Sequence, residues 1–335
     1  MKNKKAFEFS FAWLFAILVG AMIIFLAIYA AVRLSNTLRA GGETIEAESF
    51  GIILTPIETN LEGSKVLPIK VKEPTRIYNN PCRKAGVFGS QDIQFSVKSN
   101  IGEAWSTELS PAVSFHNKYL FSESPLEAKS TFFVLSKPFY FPYKVADLTM
   151  IWSDNVSYCF VSAPVAVQTE LTELGAKRIN FTSSISDCPV GSLTVCIRDT
   201  SCDISIDENT GGVTKESTTV YYAESLFSPN DKYALLYAAV FSSPQIYECQ
   251  VKRLMARASE LATLYLGKSN FLSTQRGCTS TNMQSPLASF QTATLSIAQD
   301  PSKNSHDLIP LATDPNSPAN TLYSNNANNR FCPLF

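Results

Sequence analysis

FAWLFAILVGAMIIFLAIYAAV, Phe11 to Val32, is a run of 22 residues with no charge. A helix rises about 1.5 Å per residue, so a stretch of this length reaches across a hydrocarbon core of roughly 30 Å. Secretory leader cores run to about 7–15 residues and end in a small-x-small cleavage site. This run is longer, and Ala27-Ile28-Tyr29-Ala30-Ala31 comes where the span is already complete. The expectation is a retained, single-pass signal-anchor rather than a cleaved leader. Lys2, Lys4 and Lys5 precede the run, while Arg33 and Arg39 after it are followed by Glu43, Glu46 and Glu48. That cation bias predicts residues 1–10 in the cytoplasm, a transmembrane helix over 11–32, and a C-terminal bulk outside the cell membrane.

Residues on a helix advance by about 100° each, which gathers Ala12, Ala16, Gly20, Ala27, Ala30 and Ala31 on about a third of the circumference. Small residues on one face let helix backbones approach closely in lipid. The expected partners are therefore membrane lipid and, through this face, a second copy or another membrane protein. Against a helix contact stand the ordinary abundance of alanine in spans and the presence of Trp13 and Ile23 on the same face.

The 335-residue chain is 45% hydrophobic and 17% charged, apolar enough to build a sizeable core beyond the anchor. Its net charge is -1, with no basic run after the N-terminal lysines, which gives nucleic-acid binding no electrostatic support. The expected organisation is a flexible juxtamembrane linker at 33–51 and an extracytoplasmic α+β domain at 52–298, with a sub-boundary near 152. An irregular polar tail follows at 299–335, its end pinned back by Phe331, Cys332, Leu334 and Phe335.

All eight cysteines follow the anchor: Cys82, Cys159, Cys188, Cys196, Cys202, Cys249, Cys278 and Cys332. An even count outside the membrane predicts structural disulfides, although eight cysteines allow 105 pairings. There is no CxxC, and only His116 and His306 could add imidazole, so neither a metal nor another cofactor is expected. Asn155-Val156-Ser157 and Asn180-Phe181-Thr182 are glycosylation acceptors by pattern.

Short alternating or apolar runs separated by Pro and Gly predict strands at Val66–Lys72, Asp92–Lys98, Thr131–Ser136 and Val145–Trp152. Pro68 assigns the first to a sheet edge, and Pro138 and Pro142 are expected to stop any longer strand. Phe132, Phe133, Phe139, Tyr140, Phe141 and Tyr143 read as core, with a stacking surface for sugars or a partner as the alternative. The spacing then changes. A strand at Ser157–Ala163 is followed by Pro164, by Val167, Leu171 and Leu174 at helical spacing, by Gly175, and by a strand at Arg178–Ser184. This is a β-α-β unit without the glycine fingerprint of a dinucleotide site. Strands are expected at Leu193–Arg198, Asp203–Asp207 and Val213–Glu224. The turn Asp207–Gly212, DENTGG, resembles the start of a calcium loop but has Thr218 where the bidentate Glu belongs, so a hairpin explains it better. A long amphipathic helix is predicted from Pro244 to Leu266, capped by Ser243 and ended by Gly267, with Lys252, Arg253, Arg257 and Glu260 on a solvated face.

No catalytic motif occurs: there is no nucleophile elbow, P-loop, zincin helix or kinase signature. No catalytic residue is expected, and the chain reads as a binding or structural protein rather than an enzyme. The anchor with its flank, KKAFEFSFAWLFAILVGAMIIFLAIY, and Ala234 to Leu266 resemble segments of uncharacterised single-span surface proteins of small-genome archaea. That resemblance implies no particular activity. The N-terminus is also distantly similar to pilins, which implies a filament subunit with Glu8 supporting assembly, although no Gly stands before the run as a prepilin cleavage point. A membrane-tethered envelope hydrolase is a third reading.

Overall fold

A computed structural model describes residue 13 and residues 15–31, 65–80, 89–98, 105, 109–223, 227, 232–274, 280–329 and 333–335. The cytoplasmic segment expected at 1–10 and the linker expected at 33–51 lie outside them. In chain order the strands are Lys65–Lys70 (β1), Thr75–Asn79 (β2), Gln91–Val97 (β3), Val113–Phe115 (β4), Tyr119–Phe121 (β5), Leu126–Ala128 (β6), Thr131–Tyr140 (β7), Lys144–Ser153 (β8), Tyr158–Val161 (β9), Ile179–Thr182 (β10), Leu193–Ile197 (β11), Ile204–Asp207 (β12), Gly212–Lys215 (β13) and Thr218–Tyr221 (β14). The helices are residues 15–31 (α1), Val165–Glu173 (α2), Ala234–Phe241 (α3), Pro244–Ser273 (α4), Gln284–Gln299 (α5), Leu308–Thr313 (α6) and Pro318–Asn328 (α7). The protein mixes helices and strands in the α+β manner.

Helix α1 carries no charge, and its large apolar side chains stand open, from 38% exposed at Val19 to 69% at Phe25. Its described turns extend about 25 Å. Among the described residues no helix is long and apolar enough to cross a membrane. Phe11, Ala12, Leu14 and Val32, the rest of the uncharged run, lie outside the described residues.

The hairpin β7–β8 is the middle of the molecule. Its sheet runs β1-β7-β8-β5, antiparallel except for the parallel β5–β8 pair. Both faces of β7 are buried, which is why the sequence there is almost continuously apolar rather than alternating. Phe132 and Val134 face a second sheet, β4-β3-β2-β6, and pack with Ile77, Ile93 and Phe95. Phe133 and Leu135 face the opposite way, into the main core with α3, α4 and the third sheet. Trp152 of β8, fully buried, stacks on Phe241 of α3 at 4.7 Å, so one core joins residues on both sides of position 152. Burying a side chain of that size stabilises the fold by about 2–3 kcal/mol before entropy is counted. Pro138 does not end β7. It pairs with Asp147 of β8, and the strand runs on to Tyr140.

The third sheet runs β10-β9-β11-β12-β13-β14, parallel from β10 through β12 and antiparallel thereafter. The β-α-β unit is present as β9-α2-β10. Gly175, at φ +67°, takes the left-handed conformation that ends α2. Parallel strands need cover on both faces. One face packs into the main core through Tyr158, Phe160 and Val195, with α2 adding Val167 and Leu171. Over the other face lie the Cys159–Cys188 and Cys196–Cys202 disulfides, beside Val161.

Three helical features depart from expectation. Helix α4 runs through Gly267 to Ser273, because Ser269 is held inside by Ser280 and Lys268 reaches the carbonyl of Leu334 at 2.7 Å. Arg253 is not on a solvated face; it is buried and donates to the carbonyls of His116 and Lys118 at 2.8 and 2.9 Å. The tail expected to be irregular folds into α6 and α7. Asn304 and Asp307 form a reciprocal cap before α6, and Ser317 with Pro318 starts α7.

Candidate functional site

The turn from β7 to β8 carries Phe141, Pro142 and Tyr143, and around it two concavities open side by side. In the first, of about 360 Å³, the walls are aromatic: Tyr140 and Tyr143 of the turn, Phe227, Tyr265 of α4, Tyr323 of α7 and Phe335. Tyr143 meets Tyr265 at 4.8 Å and Phe335 at 5.2 Å between ring centroids, and Phe227 meets Tyr323 at 5.5 Å. Tyr143 is tied into the fold by its hydroxyl. Its hydroxyl donates to the carbonyl of Ala258 at 2.6 Å, and burial pushes its pKa well above the ordinary tyrosine value. Asn326 of α7 binds the backbone of Leu334 and Phe335, which holds the Phe335 ring in the wall. Lys144 and Asn326 supply polar groups at the edge.

The second concavity, of about 300 Å³, shares Lys144 and is polar: Asn117, Lys144, Asp147 and Arg257, with Val145, Ala146 and Leu261 beneath. Lys144 pairs with Asp147 at 2.9 Å. Arg257 donates from Nε to the carbonyl of Val145 at 2.7 Å and has no carboxylate partner among the described residues. The hydroxyl of Tyr119 is fully buried without a well-formed hydrogen bond. Its burial raises the pKa although the Arg257 and Arg253 charges pull it down. The pair of concavities can stack flat rings and hydrogen-bond polar substituents.

A separate cluster is structural. Lys137 of β7 is wholly buried, forms an ion pair with Glu170 of α2, and lies 5.9 Å from the Tyr237 ring of α3. Tyr237 donates to Glu170 at 2.7 Å. The charge on Glu170 and, above all, burial keep that phenol protonated, well above its ordinary pKa. Lys215 pairs with Glu123 and donates to the carbonyls of Val240 and Ser242, closing the C-terminal end of α3 with a cation.

Of the cysteines, Cys159 bonds Cys188 and Cys196 bonds Cys202, while Cys249 is also disulfide-bonded. Cys82, Cys278 and Cys332 lie outside the described residues, as does Glu8. Ala16, Gly20, Ala27, Ala30 and Ala31 are on α1, exposed except for the half-buried Gly20; Ala12 lies outside the described residues. Asn155 and Asn180 are both exposed, in a turn and on strand β10. His116 and His306 are exposed and far apart in role: His306 lies edge-on to Tyr221 at 4.5 Å. Asp207 serves a hairpin, accepting from the Asn209 amide and the Thr210 hydroxyl. Among the described residues no three His, Cys, Asp or Glu side chains are placed to hold a metal ion. Of the aromatic run, Phe132, Phe133, Phe139, Phe141 and Tyr143 are core, and only Tyr140 is half-open. Tyr323, Tyr265 and Arg257 of the groove carry no local motif, and no signal in the sequence marks them.

No protein-family model, curated protein or solved structure matches this chain.

Proposed function

We propose that this protein is a single-pass membrane protein whose disulfide-stabilised α+β domain stands outside the cell and serves binding. The observation that carries the proposal is α1, an uncharged helix with its large apolar side chains open to the surroundings. An apolar face of that extent would self-associate in water, whereas a bilayer solvates it. Continued over the whole uncharged run from Phe11 to Val32, the helix would be about 33 Å long, enough to span. The two disulfides over the open face of the third sheet support an oxidising surround. The concavities beside the β7–β8 turn support binding over catalysis, since they offer rings and hydrogen-bond donors rather than a nucleophile with a base.

Protease treatment of intact cells tests this reading. The expected result is release of a fragment containing the outer domain, with an α1-bearing stub that resists carbonate extraction of the membranes. A chain protected in intact cells, or recovered in the soluble fraction, would refute it. Recovery in sheared filaments would shift the role of α1 to polymer assembly.

A further inference from the structure

We infer that the groove formed by the two concavities that share Lys144 binds an acidic saccharide, stacking a sugar ring in the aromatic half and holding a carboxylate at Arg257. Resting on the binding role proposed for the outer domain, this names its ligand class. Arg257, Leu261 and Tyr265 sit at i, i+4 and i+8 of α4, so they line one side of the helix over about 12 Å. The groove therefore runs along α4 for the length of a short oligosaccharide rather than enclosing a single small molecule.

The two ends differ in chemistry in the way a sugar acid requires. At one end Tyr323, exposed, and Tyr140, half-open, line the groove with aromatic rings. The C–H face of a pyranose is apolar and stacks on such rings, while its hydroxyls point outward to water and to the tyrosine and asparagine groups at the edge. At the other end Lys144 and Arg257 stand against the single carboxylate of Asp147, an excess of one positive charge. Arg257 has its Nε committed to Val145, lies against the Tyr119 hydroxyl, and has no carboxylate opposite its remaining N–H donors among the described residues. A planar guanidinium in that state matches a carboxylate in two parallel hydrogen bonds. A fully apolar ligand would cover Lys144, Asp147 and Arg257 without replacing their water, which disfavours it. A small aromatic acid would fill the ring-lined half but would not reach along α4 to Arg257.

The test uses the full-length protein in lipid nanodiscs, titrated calorimetrically with digalacturonate, with its methyl ester, and with benzoate. Saturable binding of digalacturonate is expected, weakened about tenfold or more by esterification, as the loss of a charged hydrogen-bonded pair predicts. Tyr323→Ala and Lys144→Gln change exposed side chains and should each weaken binding with unaltered circular dichroism. Arg257→Gln should remove the preference for the acid over the ester. No saturable saccharide binding by the folded protein, binding unchanged in both Tyr323→Ala and Lys144→Gln, or tighter binding of benzoate than of digalacturonate would each overturn the inference. Protease accessibility on cells is read separately: an accessible domain that binds no saccharide refutes the ligand class alone, and saccharide binding by a chain shielded inside the cell refutes only the surface location.

Discussion

Asp154 closes the turn that feeds β7. Its carboxylate accepts from the Ser130 hydroxyl at 2.7 Å and from the backbone amides of Lys129, Ser130 and Thr131 at 2.8, 2.9 and 3.1 Å. Partial burial works against the charge, but these hydrogen bonds outweigh it and hold the pKa below the usual aspartate value. A carboxylate with a lowered folded-state pKa stabilises the fold above its unfolded pKa, and the contribution fades as pH falls through the folded value. Asp154→Asn should therefore cost about 1 kcal/mol near neutral pH, a figure already reduced for solvent screening. The gap from wild type should close on acidification, in urea titrations run at both ends of that range. A constant gap would assign the loss to packing instead. Glu248 runs the other way. Burial raises its pKa despite hydrogen bonds from Ser305 and the charge of Lys252, so what it contributes is present at low pH and lost as pH rises. Arg253 shows what a helical wheel misses at this scale. It looks like one more cation on a polar face, yet carbonyls from the segment 115–118 arrive across the fold to receive its guanidinium.

Among the elements, the β12–β13 hairpin turns on Gly211. Its φ is +70°, and a Cβ there would come within 2.5 Å of the Tyr222 carbonyl oxygen, which is backbone and cannot swing away. Gly175 at the end of α2 has a similar φ of +67° but open space around it. Gly211→Ala should thus cost about 2–3 kcal/mol and Gly175→Ala about 1 kcal/mol, measured side by side by chemical denaturation. Equal costs would mean that Tyr222 yields. The elements legible in the sequence are those with a local signature. The β9-α2-β10 unit announces itself by its change of period and by Pro164 and Gly175, and β1 by the edge proline. Helix α3 is silent, because all eight of its residues are buried and an apolar stretch without a polar face has no period to read. Helices α6 and α7 are silent for the opposite reason: their buried residues are few, Leu308 and Ala312 in one, Ala319 and Leu322 in the other, set among Asn, Ser and Pro. The groove was hidden in a third way. Tyr140 belongs to a run that reads as core, and its partners in the wall come from α4, α7 and the chain's last residues. Only tertiary structure brings them together.

Across the whole molecule, the Cys159–Cys188 and Cys196–Cys202 disulfides cover one face of the third sheet. On one face of the parallel strands Tyr158 of β9 meets Phe241 of α3 and α2 adds Val167 and Leu171; on the other lies sulfur. The bridges should differ in worth, because a longer closed loop restrains the unfolded chain more. Cys159–Cys188 spans 29 residues and Cys196–Cys202 spans 6. The chain-entropy relation gives about 3–4 kcal/mol for the first and about 2 kcal/mol for the second. Paired Cys→Ala variants of each bridge, compared by denaturation without reductant, should keep that order; a reversed order would show that covering the sheet matters more than restraining the loop.

The order of these cysteines along the chain has its own consequence. Each of these two bridges joins a cysteine to the next one in sequence. With the anchor held in the bilayer, the segment behind it would emerge in chain order, presenting Cys188 to Cys159 before Cys196 had come through, with Cys202 directly behind Cys196. Among the cysteines from Cys159 onward native pairing then follows arrival time, and the wrong partner already waiting is Cys82.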